Sequence, residues 1–169
     1  MSADSLGDRM KGYELSARTT LRSRMPVIIR VDGKAFHTYT KSCQKPFDEK
    51  LQDVMNETAE ALCRGIQGSQ LAYVQSDEIS ILIHNYKRFT SSAWFDNQVQ
   101  KMVSVSAAIA SATFTKNSWK IWMPSDDHDQ HLGYMKIALF DARAFVLPEA
   151  DVCNYFLWRQ QDAVRNSVQ

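Results

Sequence analysis

Two acidic residues stand where short apolar runs come to an end. Asp32 lies in Val27-Ile28-Ile29-Arg30-Val31-Asp32-Gly33, and Asp77 in Tyr73-Val74-Gln75-Ser76-Asp77-Glu78. Strand-end carboxylates that a fold brings together are oxygen ligands suited to Mg²⁺ held against nucleotide phosphates. Nucleotidyl transfer is therefore the first chemistry these residues suggest. Two carboxylates plus a backbone carbonyl can bridge a pair of Mg²⁺ ions roughly 3.5–4 Å apart, one activating a nucleophilic oxygen and one steadying pyrophosphate. Gly33, directly after Asp32, lets the backbone come near a metal or a phosphate. The same residues also read as plain turns, since Asp-Gly and Ser-Asp-Glu commonly terminate strands. Spacing alone leaves both readings open.

Other side chains offer weaker signals. Lys34, Lys45 and Lys101 are candidate triphosphate contacts, and each also reads as a solvated surface lysine. Asp48 reads first as a helix cap and only then as a catalytic acid. His37 can stack on a base or hydrogen-bond to it, although a lone loop histidine usually does neither. Asp126, Asp127, His128, Asp129 and His131 have the composition of a metal site without its regular spacing, and read as a surface loop. No Ser-His-Asp or Cys-His nucleophile constellation and no Walker-type glycine loop occurs.

The elements that must position Asp32 and Asp77 follow from periodicity. Residues 26–32 predict a strand opened by Pro26 and filled with β-branched residues. Alternation sets Val27, Ile29 and Val31 on one face and Ile28, Arg30 and Asp32 on the other. Gly33 to Pro46 reads as a loop. Asp48 then caps a helix to about Cys63 with the apolar stripe Leu51, Val54, Met55, Thr58, Ala59 and Leu62. Leu71–Val74 and Ile79–His84 read as strands joined tightly through Gln75-Ser76-Asp77-Glu78, so the neighbouring side chains of Asp77 and Glu78 must diverge. A small-residue helix spans Asn97–Thr115, a strand Lys136–Phe145, and a final amphipathic helix Asp151–Val168. A short helix over Ser5–Leu15 is weakened by Gly7 and Gly12.

The order β-α-β-β-α-β followed by a helix is the split βαβ, ferredoxin-like pattern. It predicts an α+β fold, a four-stranded antiparallel sheet with two helices on one face and the other face left for a ligand. No repeat, low-complexity tract or linker divides residues 1–169. In this topology the first strand neighbours the central hairpin, which lets Asp32 and Asp77 approach each other.

Bulk properties narrow the setting. The chain has 169 residues, 44% hydrophobic and 23% charged, enough for one domain with a real core. A formal net charge of +1 excludes a global basic field, so any polynucleotide contact must use a local patch. The N-terminal third supplies one candidate, with Arg9, Lys11, Arg18, Arg22, Arg24, Arg30, Lys34, Lys41 and Lys45. Three separated cysteines with no CxxC spacing argue against a zinc knuckle or a disulfide framework, and their odd count fits a reducing compartment. A polar N-terminus and the lack of a membrane-length apolar run predict a soluble, cytoplasmic protein.

Five ordered segments carry a resemblance. Arg30-Val31-Asp32-Gly33-Lys34-Ala35-Phe36-His37, Lys45-Pro46-Phe47-Asp48, Tyr73-Val74-Gln75-Ser76-Asp77-Glu78-Ile79-Ser80, Phe140-Asp141-Ala142-Arg143 and Tyr155-Phe156-Leu157-Trp158-Arg159-Gln160-Gln161-Asp162 resemble the signatures of the tRNA-histidine guanylyltransferase family. The resemblance implies a polymerase-type palm that adds nucleotides to the 5′ end of tRNA, opposite to ordinary polymerisation. It implies activation of a 5′-monophosphate by ATP or GTP, then attack by the 3′-hydroxyl of an incoming triphosphate. It assigns Asp32, Asp77 and the Gly33 carbonyl to two Mg²⁺ ions and makes Glu78 an important acid beside them. Arg30, His37, Lys45, Asp48 and Ser76 match positions near bound nucleotide, and Lys101 a triphosphate contact. A homotetramer is implied as well.

Two departures refine that expectation. Eukaryotic members follow Trp-Arg-Gln-x-Asp with His-Ile-Asn-Asn, whereas Val164-Arg165-Asn166-Ser167 stands here and the histidine is absent. This looks like the bacterial- and phage-type branch that repairs 5′-truncated tRNAs. Relatives also continue beyond the helix at which this chain stops, so a non-catalytic nucleotide- or RNA-binding palm is the alternative expectation. A palm-type nucleotidyl cyclase shares the two-acid logic but not the Lys-Pro-x-Asp and Trp-Arg-Gln-x-Asp segments.

Overall fold

The computed structural model describes residues 5–123 and 131–168. Four strands, β1 (Val27–Gly33), β2 (Ser69–Gln75), β3 (Glu78–Ile83) and β4 (Phe140–Val146), form one sheet in the order β2-β3-β1-β4, every pair antiparallel. Six α-helices lie among the described residues: α1 (Leu6–Ser16), α2 (Phe36–Tyr39), α3 (Glu49–Gly65), α4 (Val99–Asn117), α5 (Trp119–Trp122) and α6 (Val152–Val168). This is the expected ferredoxin-like α+β architecture. The acid–histidine cluster at 126–131 has its side chains outside the described residues.

Strand alternation makes the core. Val27, Ile29 and Val31 of β1 join Ile79, Ile81 and Ile83 of β3 on one face, under Val54, Met55 and Leu62 of α3 and Met102, Ala110 and Phe114 of α4. Asp48 caps α3, its Oδ1 accepting from the Leu51 N–H at 3.0 Å, a contact of a type that contributes about 1 kcal/mol.

The second face departs from expectation, because α6 crosses it. Tyr155 and Ser80 hydroxyls meet at 2.8 Å, and Arg159 reaches Glu78 on the same side. Turned with its nitrogen toward Arg159, the Gln75 amide donates to that residue's carbonyl (2.7 Å) and accepts from the Ala163 N–H (3.2 Å). Ile28, on this face, is fully buried, and Phe145 packs edge-on to Tyr155 at 5.8 Å. Aromatic and hydroxyl groups of α6 match polar β3 positions that alternation exposes, so only part of this face stays open.

The last strand is shorter than predicted. It starts at Phe140 rather than Lys136, because hydroxyls of the α4–α5 segment capture alternate N–H groups ahead of it. Lys136 donates to Ser118 Oγ, Ala138 to Thr115 Oγ1 and Phe140 to Ser111 Oγ, each at 3.0 Å. The small polar residues of α4 thus bind backbone as well as allowing close approach. Within the expected loop after Gly33, α2 forms a single turn. Trp94, ahead of α4, is 7% exposed and belongs to the core.

Candidate active site

The end of the sheet carrying Gly33 and the β2–β3 turn holds a cavity of about 340 Å³. Gly33, Ala35, Phe36, His37, Thr40, Leu51, Ser76 and Asp77 line it. Its floor is an aromatic bed, in which Phe36 lies 5.0 Å from Tyr39, 5.2 Å from Phe114 and 5.0 Å from Phe140. Gly33 is fixed by that bed. A Cβ built on it would meet Phe36 Cδ2 at 2.3 Å, inside any real contact. The need for glycine is therefore a ring pressed against the backbone, whatever else approaches from the cavity.

Two neighbouring backbone features aim the acids. Ser76 occupies the first position of a two-residue hairpin turn at φ 53, a left-handed conformation, and lines the cavity with Asp77. The Asp77 carbonyl accepts from the Gly33 N–H at 3.0 Å, locking the turn to the end of β1. Asp32 is directly across from Glu78 on β3 and from Asp141 on β4. Asp32 and Asp77 come together as the topology requires. Burial pushes the Asp77 carboxyl above its ordinary range and the Asp32 charge adds to this, while hydrogen bonds from its own N–H and from Ser76 oppose it. Among the described residues, neither Asp32 nor Asp77 forms a salt bridge.

Glu78 lives differently. It is 8% exposed and accepts two hydrogen bonds from Arg159, Nε to Oε1 at 2.8 Å and Nη2 to Oε2 at 2.9 Å. Arg30 Nε approaches the same carboxylate at 3.7 Å and has no hydrogen bond of its own among the described residues. Arg159 also donates to Asp162 at 3.1 Å and stacks 4.6 Å from the Trp158 ring. The divergence of Asp77 and Glu78 expected from alternation is real: one faces the cavity, the other the α6 side.

The remaining candidates divide. His37 lines the cavity, its Nε2 lying 3.0 Å from Thr38 Oγ1. Asp48 is spent on structure, taking the Gln44 N–H (2.9 Å) as well as that of Leu51. Lys34 and Lys45 are exposed and lie outside the lining, Lys34 extending the ladder through its N–H to Leu139 (2.8 Å). Lys101 is not brought to this end at all. It lies near the start of α4, on the order of 20 Å along the helix axis from Phe114 at about 1.5 Å per residue, and its Nζ sits 5.9 Å from the Phe95 ring. Sequence reasoning missed Phe36, Thr40 and Leu51 in the lining and Arg159 as the partner of Glu78. Phe36 and Arg159 both lie in the motif segments, and Arg159 carries the further signal that a buried acid needs a cation.

The donor set fits a hard cation. Two carboxylates without a salt-bridge partner among the described residues, one of them pushed upward, and a carbonyl at Gly33 are oxygen donors of the kind Mg²⁺ takes, alongside waters and phosphates. Among the described residues no three His, Cys, Asp or Glu side chains converge as a closed protein cage.

Comparison with known proteins identifies the family. A bacterial tRNA(His) guanylyltransferase-like protein in complex with GTP matches at 51% identity and a TM-score of 0.86, over 98% of this chain and 74% of that one. Its counterpart in complex with ATP matches at 50% identity and 0.86, over 96% and 67%. A probable tRNA(His) guanylyltransferase of Drosophila melanogaster is 30% identical over 84% of this chain and 46% of that protein. The enzyme of Debaryomyces hansenii is 30% identical over 84% and 51%. The chain thus spans about half the length of these curated relatives. The sequence profile described as tRNAHis guanylyltransferase matches residues 7–148, and the chain belongs to that family.

Proposed function

We propose that this chain is the palm of a Mg²⁺-dependent nucleotidyltransferase that extends the 5′ end of tRNA in the 3′-to-5′ direction. The observation that carries the proposal is the meeting of Asp32 and Asp77, without a cationic partner, beside a cavity of about 340 Å³. Asp32, Asp77 and the Gly33 carbonyl would hold two Mg²⁺ ions. Bound there, Mg²⁺ supplies neutralisation of phosphate charge and a more acidic attacking hydroxyl.

The cavity suits ATP or GTP, the ligands of the two bacterial relatives. Phe36 and Leu51 give it apolar lining, and His37 and Thr40 give it polar groups beside the acids. In the first step an oxygen of the RNA 5′-monophosphate attacks the α-phosphorus of ATP or GTP, and pyrophosphate leaves. In the second, the 3′-hydroxyl of an incoming triphosphate attacks the activated 5′ phosphorus, loses its proton and releases AMP or GMP. The chain's own part is positioning and charge placement, which dominate phosphoryl transfer. Glu78 serves by holding Arg30 and Arg159 in place on the α6 side. Lys34 and Lys45 reach toward triphosphate from the rim, and Ser76 positions Asp77.

The family resemblance further supports a cytoplasmic homotetramer. None of the residues of α1 is buried, which leaves Leu6, Met10 and Tyr13 for a second copy; light scattering on the purified protein reads the assembly. Among the described residues no helix is long and apolar enough to cross a membrane.

The deciding experiment incubates a 5′-truncated, 5′-monophosphorylated tRNA with ATP, all four nucleoside triphosphates and Mg²⁺. Extension that disappears in Asp32→Ala and Asp77→Ala is the expected result. Calorimetric nucleotide binding without pyrophosphate release in any assay would instead make the chain a binding module.

A further inference from the structure

The opposite end of the sheet carries a surface that the chemistry above does not use. Segment 19–24 is tied to the start of α4, with Thr20 bridging Gln98, Leu21 N–H donating to the Asn97 carbonyl (2.9 Å) and Val99 N–H to that of Thr19 (3.0 Å). Asn97, 4% exposed, donates from Nδ2 to the Arg22 carbonyl at 3.3 Å. Arg24 is held at φ 61, and Phe95, Asp96 and Asn97 are three consecutive non-glycine residues at φ 49, 50 and 59. Left-handed backbone costs such residues on the order of 1 kcal/mol each. It persists where surrounding structure demands it, often at functional sites.

What the strained segments present is basic and aromatic. The Arg24 guanidinium lies 5.7 Å from the centroid of Phe89, a ring 91% exposed, and Lys87 and Arg88 precede that ring in the same exposed loop. Arg22 is exposed, and Lys101 sits over Phe95. Residues 20–25 and 85–101 carry these five cations and one acid, Asp96, in a chain whose formal net charge is +1. Glu149 acts on Tyr86 of the same loop from the end of β4.

We infer that Arg22, Arg24, Lys87, Arg88, Phe89 and Lys101 form a second RNA contact, in which Phe89 stacks on an unpaired base and the cations neutralise phosphates on either side. An exposed ring beside a guanidinium is a stacking platform for bases, and clustered cations give affinity through counterion release. Along β1 the surface stands on the order of 20 Å from Asp32, at about 3.3 Å per residue. It grips the body of an RNA substrate rather than the reacting 5′ end, or that of an RNA engaged by a neighbouring copy. The inference rests on the proposed activity toward tRNA for the identity of its ligand.

The test uses the full chain and a fluorescently labelled, 5′-monophosphorylated tRNA transcript, with anisotropy read across a KCl series. Arg24→Ala/Lys87→Ala/Arg88→Ala is expected to weaken binding at least tenfold at about 0.1 M salt and to flatten the slope of log K against log salt by roughly two to three. Phe89→Ala is expected to cost roughly tenfold, and Phe89→Trp to retain affinity. GTP binding and turnover of a 5′-phosphorylated dinucleotide, too short to span the sheet, stay at wild-type levels in these variants. Unchanged tRNA affinity and salt slope in the triple variant, with the wild type extending tRNA normally, would overturn the contact and leave the activity standing. The reverse pattern, a charge-dependent tRNA contact in a protein that never extends RNA, would sink the activity alone. A triple variant that loses poly-glutamate binding but keeps tRNA would mark an acidic protein as the partner, and overturn the RNA contact too.

Discussion

Asp77 and Glu78 are adjacent in the chain and opposite in circumstance. Asp77 faces the cavity, shares its end of the sheet with Asp32, forms no salt bridge among the described residues and has its carboxyl pushed upward. Glu78 is buried between two guanidinium groups, one of which holds it by both oxygens. The contrast teaches what each acid needs. A carboxylate left without counter-charge beside a cavity favours an incoming cation, whereas one already clamped contributes by holding α6 and the arginines in place. Resemblance groups the two as functional acids; geometry separates their physical roles.

The sharpest break in that comparison is Glu78→Ala. It would leave Arg159 and Arg30 buried without their carboxylate, a loss of about 3–5 kcal/mol for such groups, read as a lowered midpoint in urea. Activity falls with it. Glu78→Met/Arg159→Met/Arg30→Met separates the two effects, since apolar side chains of similar volume commonly replace a buried ionic triad with little loss of stability. Restored stability without restored activity would place Glu78 in the chemistry as well as in the clamp. Restoration of both would make it purely structural.

Asp77→Asn should do the converse. Turnover is expected to fall at least a hundredfold, about 2.7 kcal/mol of transition-state stabilisation, measured by pyrophosphate release. The folded carboxyl is raised above its unfolded value, so its contribution to stability is fully present below the unfolded pKa and lost as pH rises through the folded one. Without Mg²⁺, Asp77→Asn should therefore melt higher than wild type near pH 7–8 and lose that advantage near pH 3. Added Mg²⁺ should raise the melting temperature of wild type and leave the variant unmoved. Gly33→Ala comes next in size. Its Cβ would press into Phe36, and overpacking of this kind costs about 1–3 kcal/mol, with the nucleotide cavity deformed. Thermal melting and GTP calorimetry check the two halves separately.

Much of this architecture is legible in the amino-acid sequence itself. The alternating apolar residues of β1 and β3 set the strands, Asp48 announced α3, and the order of elements placed Asp32 beside the hairpin. Period and capping are local, so they survive in sequence. The rest depended on long-range contacts. Nothing local distinguishes the 136–139 segment from strand, because the hydroxyls that capture its N–H groups belong to Ser111, Thr115 and Ser118. Nor does periodicity reveal that α6 returns across the second face, a contact made by Tyr155, Arg159 and the Gln75 amide. Lys101 shows the same limit: its type suits a triphosphate, yet the direction of α4 sets it at the far end.

The smallest effect tests whether the α6 side can be loosened without touching the cavity. Tyr155 gives one hydroxyl contact to Ser80, next but one to Glu78 on β3, and its ring packs against Phe145 and Phe156. Tyr155→Phe keeps the rings and removes the hydroxyl, leaving Ser80 with its hydrogen bond to Glu78 Oε1 at 3.2 Å. The expected loss is about 1 kcal/mol, with GTP affinity unchanged, because the cavity is built from β1, α2, α3 and the Ser76–Asp77 turn. A variant that instead weakens GTP binding tenfold would mean that the clamp and the cavity act as one unit, and the separation drawn between Asp77 and Glu78 would not hold.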